Sequence, residues 1–256
     1  MTYWLRYTHQ GAIGFGTLEG DTVRVHAGDM FAGATPTGAT LKRAEVELLA
    51  PCVPSKMPAL WNNFYERAAK EGQTIPVHPL YFLKGNNSFC AAGTMIRKPA
   101  GFEGKVIFEA ELGIVIGKRC SAVSEADAPG YVFGYTCIND VTAVELLRAD
   151  PSFQHWVRAK SFDTFCPFGP TITTGIDPAG LRVQAILNDQ QRQDYPVADM
   201  IFSPAQLVSL ISHDMTLEPG DIIACGTSVG AGSMKPGSTI RVDIAGVGTL
   251  ENRYEA

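Results

Sequence analysis

The sequence predicts an α+β fold that is mostly β, a twisted strand-rich body with short peripheral helices and a small N-terminal β domain. Three observations predict it. Short apolar, β-branched runs recur along all 256 residues. Only three short segments read as helices, at 63–72, 141–149 and 204–213. Strands and helices do not alternate regularly, so a doubly wound parallel sheet is not expected.

Taken in order, Tyr3-Trp-Leu-Arg-Tyr7, Ala12-Ile-Gly-Phe-Gly16 and Thr22-Val-Arg-Val-His26 read as strands separated by Gly, Asp and Glu. Residues 51–58 carry three prolines and read as a linker, giving an N-terminal domain over 1–55 and a main domain over 56–256. A short helix over 63–72 ends at a glycine. Further strands are expected at 80–83, 107–116, 131–138, 169–174, 181–187, 221–225 and 239–244. Asn188-Asp-Gln-Gln reads as a hairpin turn.

A net charge of −5 gives no electrostatic case for nucleic acid or an anionic membrane. No apolar run reaches the roughly 18 residues of a membrane-spanning helix. The first residues, Met-Thr-Tyr-Trp-Leu-Arg-Tyr, lack the pattern of a signal peptide. Cysteines 52, 90, 120, 137, 166 and 225 include no Cys-x-x-Cys pair. They are expected to be buried small hydrophobes of a reduced, cytoplasmic protein.

The most telling run is Ile107-Phe-Glu-Ala-Glu-Leu-Gly-Ile-Val-Ile116. On a strand, Glu109 and Glu111 point to one face with Cα atoms about 6.5–7 Å apart, while Phe108, Ala110, Leu112, Ile114 and Ile116 take the other. Two like charges on a core strand need neutralising, and a hard divalent cation does so through oxygen ligands. Asp140 follows a strand and precedes the helix expected at 141–149. It reads either as an N-cap or as a third ligand. Lys160 stands before an aromatic, Gly- and Pro-rich run and reads as a surface charge or as a pocket ammonium.

Gly226-Thr-Ser-Val-Gly230 has the letters of a nucleophile elbow, but no helix can readily follow and no histidine lies downstream of His213. It reads as a tight turn or as a loop offering Gly226, Thr227 and Ser228 to an anion. The histidines at 9, 26, 78, 155 and 213 have no metal-binding spacing.

These segments together resemble the fumarylacetoacetate hydrolase family. The matching blocks are Leu83-Lys-x-x-x-Ser88, Phe108-Glu-Ala-Glu-Leu-Gly-Ile-Val-Ile-Gly117, Tyr131-Val-Phe-Gly-Tyr-Thr-x-x-Asn-Asp140, Lys160-Ser-Phe-Asp-Thr-Phe-x-Pro-x-Gly-Pro170, Pro219-Gly-Asp-Ile-Ile-x-x-Gly-Thr227 and Gly246-x-Gly-x-Leu-x-Asn252. The resemblance implies a β-roll catalytic domain, a homodimer, and Mg²⁺, Mn²⁺ or Ca²⁺ held by Glu109, Glu111 and Asp140. It places Lys160 among the catalytic groups and Lys84, Gly226, Thr227 and Ser228 on the substrate. It implies substrates among the small 2-oxo and 2,4-dioxo acids of aromatic catabolism.

One segment departs from the pattern. Where family hydrolases and decarboxylases carry Asn-Tyr-x-x-His-x-x-Glu, this chain has Asn63-Phe-Tyr-Glu-Arg67-Ala-Ala-Lys70. A His–Glu pair activates water, whereas an arginine stays protonated. Glu66 and Arg67 are the catalytic candidates here, with Glu71 beside them. The expected reaction is C–C hydrolysis of an acylpyruvate. Decarboxylation or isomerisation of a 2-oxo diacid is the alternative, favoured by Arg67 and Lys70. A non-catalytic metal-binding role is the second alternative.

Overall fold

The computed structural model describes residues 1–255. A twelve-stranded sheet runs through the molecule. Its path passes from Thr35–Lys42 through Thr22–Ala27, Ala12–Glu19 and Thr2–His9 to Cys166–Thr174 and Val132–Asn139. It continues through Ala110–Ile116, Ile222–Ala224 and Met57–Trp61 to Leu80–Lys84. Thr2–His9 pairs antiparallel with Cys166–Thr174, so the N-terminal strands extend the main sheet. A second sheet of five strands is built from Gln190–Pro196, Arg182–Leu187, Thr239–Ile244, Gly248–Glu255 and Ile96–Arg97. The mostly β expectation holds, with three α-helices among the described residues: α1 (Tyr65–Glu71), α2 (Trp156–Lys160) and α3 (Pro204–Asp214). None of these is long and apolar enough to cross a membrane.

Alternation along Ala110–Ile116 decides where the core lies. Ala110, Leu112, Ile114 and Ile116 enter a core shared with Val183, Ala185, Val242 and Ile244 of the five-stranded sheet and with Leu207, Val208 and Ile211 of α3. Val115 enters a second core on the opposite face, with Met57, Ile138, Phe168, Ile172 and Ile222. A fully buried strand of this kind reads as a continuous apolar run, so the single acidic residue inside it, Glu111, stands out.

α3 begins as its sequence requires. Ser203 Oγ accepts the Gln206 N–H at 3.3 Å and Gln206 Oε1 accepts the Ser203 N–H at 2.9 Å, a reciprocal cap with Pro204 in the first turn. α1 ends at Gly72, whose φ of +64° lets the Gly72 N–H reach the Ala69 carbonyl and the Gln73 N–H reach the Ala68 carbonyl. The Asn188–Asp189 turn has positive φ at both residues and joins Arg182–Leu187 to Gln190–Pro196.

Several expectations need correcting. Residues 141–149 form no α-helix. Thr142–Ala143 pairs with Val106–Phe108, and a 3₁₀ turn follows over Val144–Arg148. The β-branched Val141, Thr142 and Val144 suit a strand edge better than a helix start. The strand expected over 107–116 is broken at Glu109 into Val106–Phe108 and Ala110–Ile116. The proline-rich linker already contains the start of a strand, Met57–Trp61, and Thr35–Lys42, Gln190–Pro196 and Gly248–Glu255 are strands in addition to those expected.

Candidate active site

The break at Glu109 shapes the site. The Glu109 N–H donates to Asn139 Oδ1 at 3.1 Å and the Ala110 N–H donates to Gln193 Oε1 at 3.0 Å. Two amide side chains therefore stand in for strand partners where the ladder stops, as buried N–H groups require. The Glu109 carbonyl accepts the Asp140 N–H at 2.9 Å, which brings the two acidic residues side by side.

A compact ionic cluster results. Glu109 Oε2 accepts from Lys160 Nζ and, at 2.9 Å, from the Thr142 hydroxyl. Asp140 Oδ2 lies 2.5 Å from Lys160 Nζ and its Oδ1 lies 2.6 Å from Lys84 Nζ. Lys84 also donates to the Phe165 carbonyl at 2.9 Å. Arg67, on α1, places Nη1 3.4 Å from Glu109 Oε1 and 3.4 Å from the Thr227 carbonyl, while its Nε meets Glu71 at 2.9 Å. Asp140 is thus committed to two ammonium groups, and the N-cap reading fails because no α-helix follows it.

Glu111 differs from its neighbours. One oxygen accepts the Gly226 N–H at 2.9 Å and no cationic side chain bonds it. Gly226 has a φ of +85°, and a Cβ there would lie 3.1 Å from the Leu60 carbonyl oxygen. A glycine lets the backbone turn and point its N–H at the carboxylate. Burial, and after it the like charge of Asp140, pushes the Glu111 carboxyl well above the ordinary carboxylate range. Burial acts the same way on Glu109, but Lys160 and Arg67 outweigh it and hold that carboxyl at about 2. Burial opposes the Lys160 ammonium, yet Asp140 and Glu109 keep its pKa above the usual lysine value.

The donor set suits a hard divalent cation. Glu109, Glu111 and Asp140 offer carboxylate oxygens, and Glu111 is a buried acceptor with no cation of its own. Among the described residues no three such groups are already drawn together as a cation shell, because Lys160 stands between Glu109 and Asp140. With Glu71 included, four carboxylates (71, 109, 111, 140) face three cations (Arg67, Lys84, Lys160), a formal charge of −1.

A cavity of about 80 Å³ opens beside this cluster, bordered by Asn62, Arg67, Glu109, Glu111, Lys160 and Thr227. Trp61, Phe82 and Trp156 also border it and line a neighbouring cavity of about 300 Å³. Phe82 and Trp156 stack with centroids 5.5 Å apart, and Lys160 Nζ lies 5.2 Å from the Phe82 centroid. These aromatic residues make up one wall of the cavity, with the Trp61 ring tilted 53° to that of Trp156.

Most residues expected from the sequence meet here: Lys84, Glu109, Glu111, Asp140, Lys160, Arg67, Gly226 and Thr227. Ser228 is buried beside them with its hydroxyl unpartnered. Glu66 is exposed on α1. Its backbone N–H meets Asp199 at 3.0 Å, and its side chain bonds no member of the cluster. The sequence reading missed Gln193, Asn139, Thr142 and the aromatic wall. Gln193 had one signal, its alternation with buried Tyr195 along an otherwise polar strand.

The fumarylacetoacetate (FAA) hydrolase C-terminal family matches residues 56–255. The chain belongs to the fumarylacetoacetate hydrolase family. The Rv2993c-like N-terminal family matches residues 4–51. Protein Rv2993c of Mycobacterium tuberculosis is 37% identical over 257 residues, covering 96% of each chain. Oxaloacetate tautomerase YisK of Bacillus subtilis is 36% identical over 224 residues, covering 82% of this chain and 74% of YisK. Among solved structures, 2-hydroxyhepta-2,4-diene-1,7-dioate isomerase from Mycobacterium marinum superposes with a TM-score of 0.91 at 36% identity, covering 100% of this chain and 98% of that one. Maleylpyruvate hydrolase from Sphingobium sp. SYK-6, solved with manganese(II) and pyruvate, gives a TM-score of 0.81 at 29% identity over 100% and 99% of the two chains. Enzymes of this family generally depend on a divalent metal and act on small molecules.

Proposed function

We propose that this protein is a divalent-metal-dependent isomerase or tautomerase of a 2-oxo acid that carries a second carboxylate. The observation that carries this reading is Arg67. The position that would hold a water-activating histidine holds a guanidinium, braced by Glu71 and set against Glu109 and the Thr227 carbonyl. A guanidinium does not accept a proton, so the site is poorly equipped to generate hydroxide. Proton transfer next to a carbonyl needs no attacking water, only an acceptor for the carbon-bound proton. Glu71, held by Arg67 Nε at 2.9 Å and outside the metal set, is the carboxylate that would take it and return it to the new position.

Glu109, Glu111 and Asp140 would hold Mg²⁺, Mn²⁺ or Ca²⁺. When bound, such an ion supplies Lewis-acid stabilisation of an enolate. The Lys160 ammonium adds a fixed positive charge beside the reacting oxygen. The Thr227 hydroxyl and the backbone of the 226–230 loop bind the carboxylate, and Arg67 is placed to hold the second one. The Trp61–Phe82–Trp156 wall excludes water and suits a planar conjugated tail.

The likeness to an isomerase and a tautomerase at 36% identity supports this reading over the hydrolase likeness at 29%. The test is a substrate panel followed by NMR with Mg²⁺ and with EDTA: oxaloacetate, 2-hydroxyhepta-2,4-dienedioate and maleylpyruvate. Metal-dependent keto–enol exchange or double-bond migration without carbon loss is expected. Pyruvate released from maleylpyruvate faster than any tautomer interconverts would sink it.

A further inference from the structure

Among the described residues Gln193 makes more site-directed hydrogen bonds than any other neutral side chain, though it lies on none of the strands that carry the carboxylates. It is buried at 2% exposure on Gln190–Pro196. Its Oε1 accepts the N–H of Ala110, the residue between Glu109 and Glu111, at 3.0 Å. Its Nε2 lies 2.8 Å from Thr227 Oγ1 and 3.2 Å from each of the Ser228 and Val229 carbonyls. Two hydrogens thus serve three acceptors, so one is shared. The amide orientation is fixed by chemistry, since the reverse would set an oxygen against three oxygens and an NH₂ against an N–H.

The loop is shaped to meet this side chain. Gly230 has a φ of +95°, and a Cβ there would stand 2.2 Å from the Arg192 carbonyl oxygen and 3.2 Å from Gln193 Cγ. Only a glycine lets the loop lie this close to the strand. Two residues along the same face, the Tyr195 hydroxyl donates to the Ala110 carbonyl. The strand therefore holds both backbone groups of Ala110 while Gln193 also holds the loop. A Gln193 N–H on Thr227 Oγ1 commits that oxygen as acceptor and leaves its hydrogen as a donor.

We propose that Gln193 is a positioning residue that locks the 226–230 loop to the Glu109–Glu111 segment, so that Thr227 and the metal ligands act on one substrate at a fixed spacing. This rests on the metal and 2-oxo acid reading of the site. A structural tie alone would hold the loop without affecting ligand affinity through Thr227.

The test uses Mn²⁺ and oxalate, a planar stand-in for the enolate of a 2-oxo acid. Wild type, Gln193→Met, Thr227→Val and the double variant are compared by Mn²⁺ binding (electron paramagnetic resonance) and by oxalate calorimetry at saturating Mn²⁺. Gln193→Met keeps the volume and removes every hydrogen bond. The expected result is Mn²⁺ affinity within about twofold of wild type and oxalate affinity down at least tenfold in each single variant. The double variant is expected to be no weaker than the worse single one, because both remove the same coupling. Gly230→Ala, which pushes the loop off the strand and leaves Gln193 intact, is expected to reproduce the oxalate loss and serves if Gln193→Met does not fold. Unchanged oxalate affinity in folded Gln193→Met, or strictly additive losses, overturns the role of Gln193. Wild type that binds neither Mn²⁺ nor oxalate overturns the functional reading beneath it as well.

Discussion

Lys84 Nζ lies 2.6 Å from Asp140 Oδ1, and the two side chains are 0% and 1% exposed. The pair joins the end strand Leu80–Lys84 of the large sheet to the end of Val132–Asn139, four strands away in the sheet order. Removing Lys84 strips buried Asp140 of one of its two cations and leaves it Lys160, which Glu109 also claims. We expect Lys84→Met to lose about 3–5 kcal/mol of unfolding free energy, measured by urea denaturation of the metal-free protein. Lys84→Met with Asp140→Leu should recover part of the loss. A single variant as stable as wild type would show that Lys160 alone suffices for Asp140.

Arg67 gives a test by rebuilding. If the guanidinium is what keeps the site from activating water, Arg67→His with Lys70→Glu restores the histidine and glutamate of the Asn-Tyr-x-x-His-x-x-Glu pattern. The double variant is expected to gain metal-dependent release of pyruvate from maleylpyruvate by at least tenfold while losing affinity for substrates with a second carboxylate. Arg67→Ala should show the affinity loss without the new activity. Hydrolysis by wild type at the rate of the rebuilt enzyme would remove the role given to Arg67.

Much of this site was legible because acidic residues are conspicuous in apolar strands. Glu111 inside Ala110–Ile116 and Asp140 at the end of Val132–Asn139 both stand out by their neighbours. Arg67 stood out as a departure from a known pattern. What stayed hidden depends on contacts distant in sequence. The break at Glu109 is held by Asn139 and by Gln193, 83 residues beyond Ala110. Gln193 sits in Gln190-Gln-Arg-Gln-Asp194, a run that reads as a solvated hairpin arm. The helix misread at 141–149 has the same origin. Glu145, Leu146, Leu147 and Arg148 have good helix propensity, but Thr142–Ala143 is claimed by pairing with Val106–Phe108.

The aromatic wall predicts selectivity. Trp156 stacks on Phe82 and lies 5.6 Å from Trp61, and all three line both the small cavity and its larger neighbour. Such contacts contribute about 0.5–1.5 kcal/mol beyond burial. Trp156→Ala is expected to raise KM for a conjugated diacid by up to about tenfold, to change KM for oxaloacetate less than twofold, and to leave Mn²⁺ affinity intact. Equal losses on both substrates would mean the wall shapes the site as a whole and does not grip a tail.

Glu109 and Glu111 should move the stability of the metal-free protein in opposite directions with pH. The Glu111 carboxyl, raised by burial and by Asp140, costs stability when ionised, so stability rises as pH falls from its folded pKa toward the ordinary carboxylate value. Glu109 is held down to about 2 despite its burial, chiefly by Lys160 and then Arg67. Its contribution is present above the ordinary carboxylate pKa and lost as pH falls from there toward about 2. The thermal midpoint of the EDTA-treated protein is therefore expected to climb on mild acidification and then drop in strong acid. Glu111→Gln should flatten the climb and keep the drop, and saturating Mg²⁺ should flatten it too, because a bound cation stabilises the ionised form of its ligand. A climb that survives both treatments would assign that proton to another group.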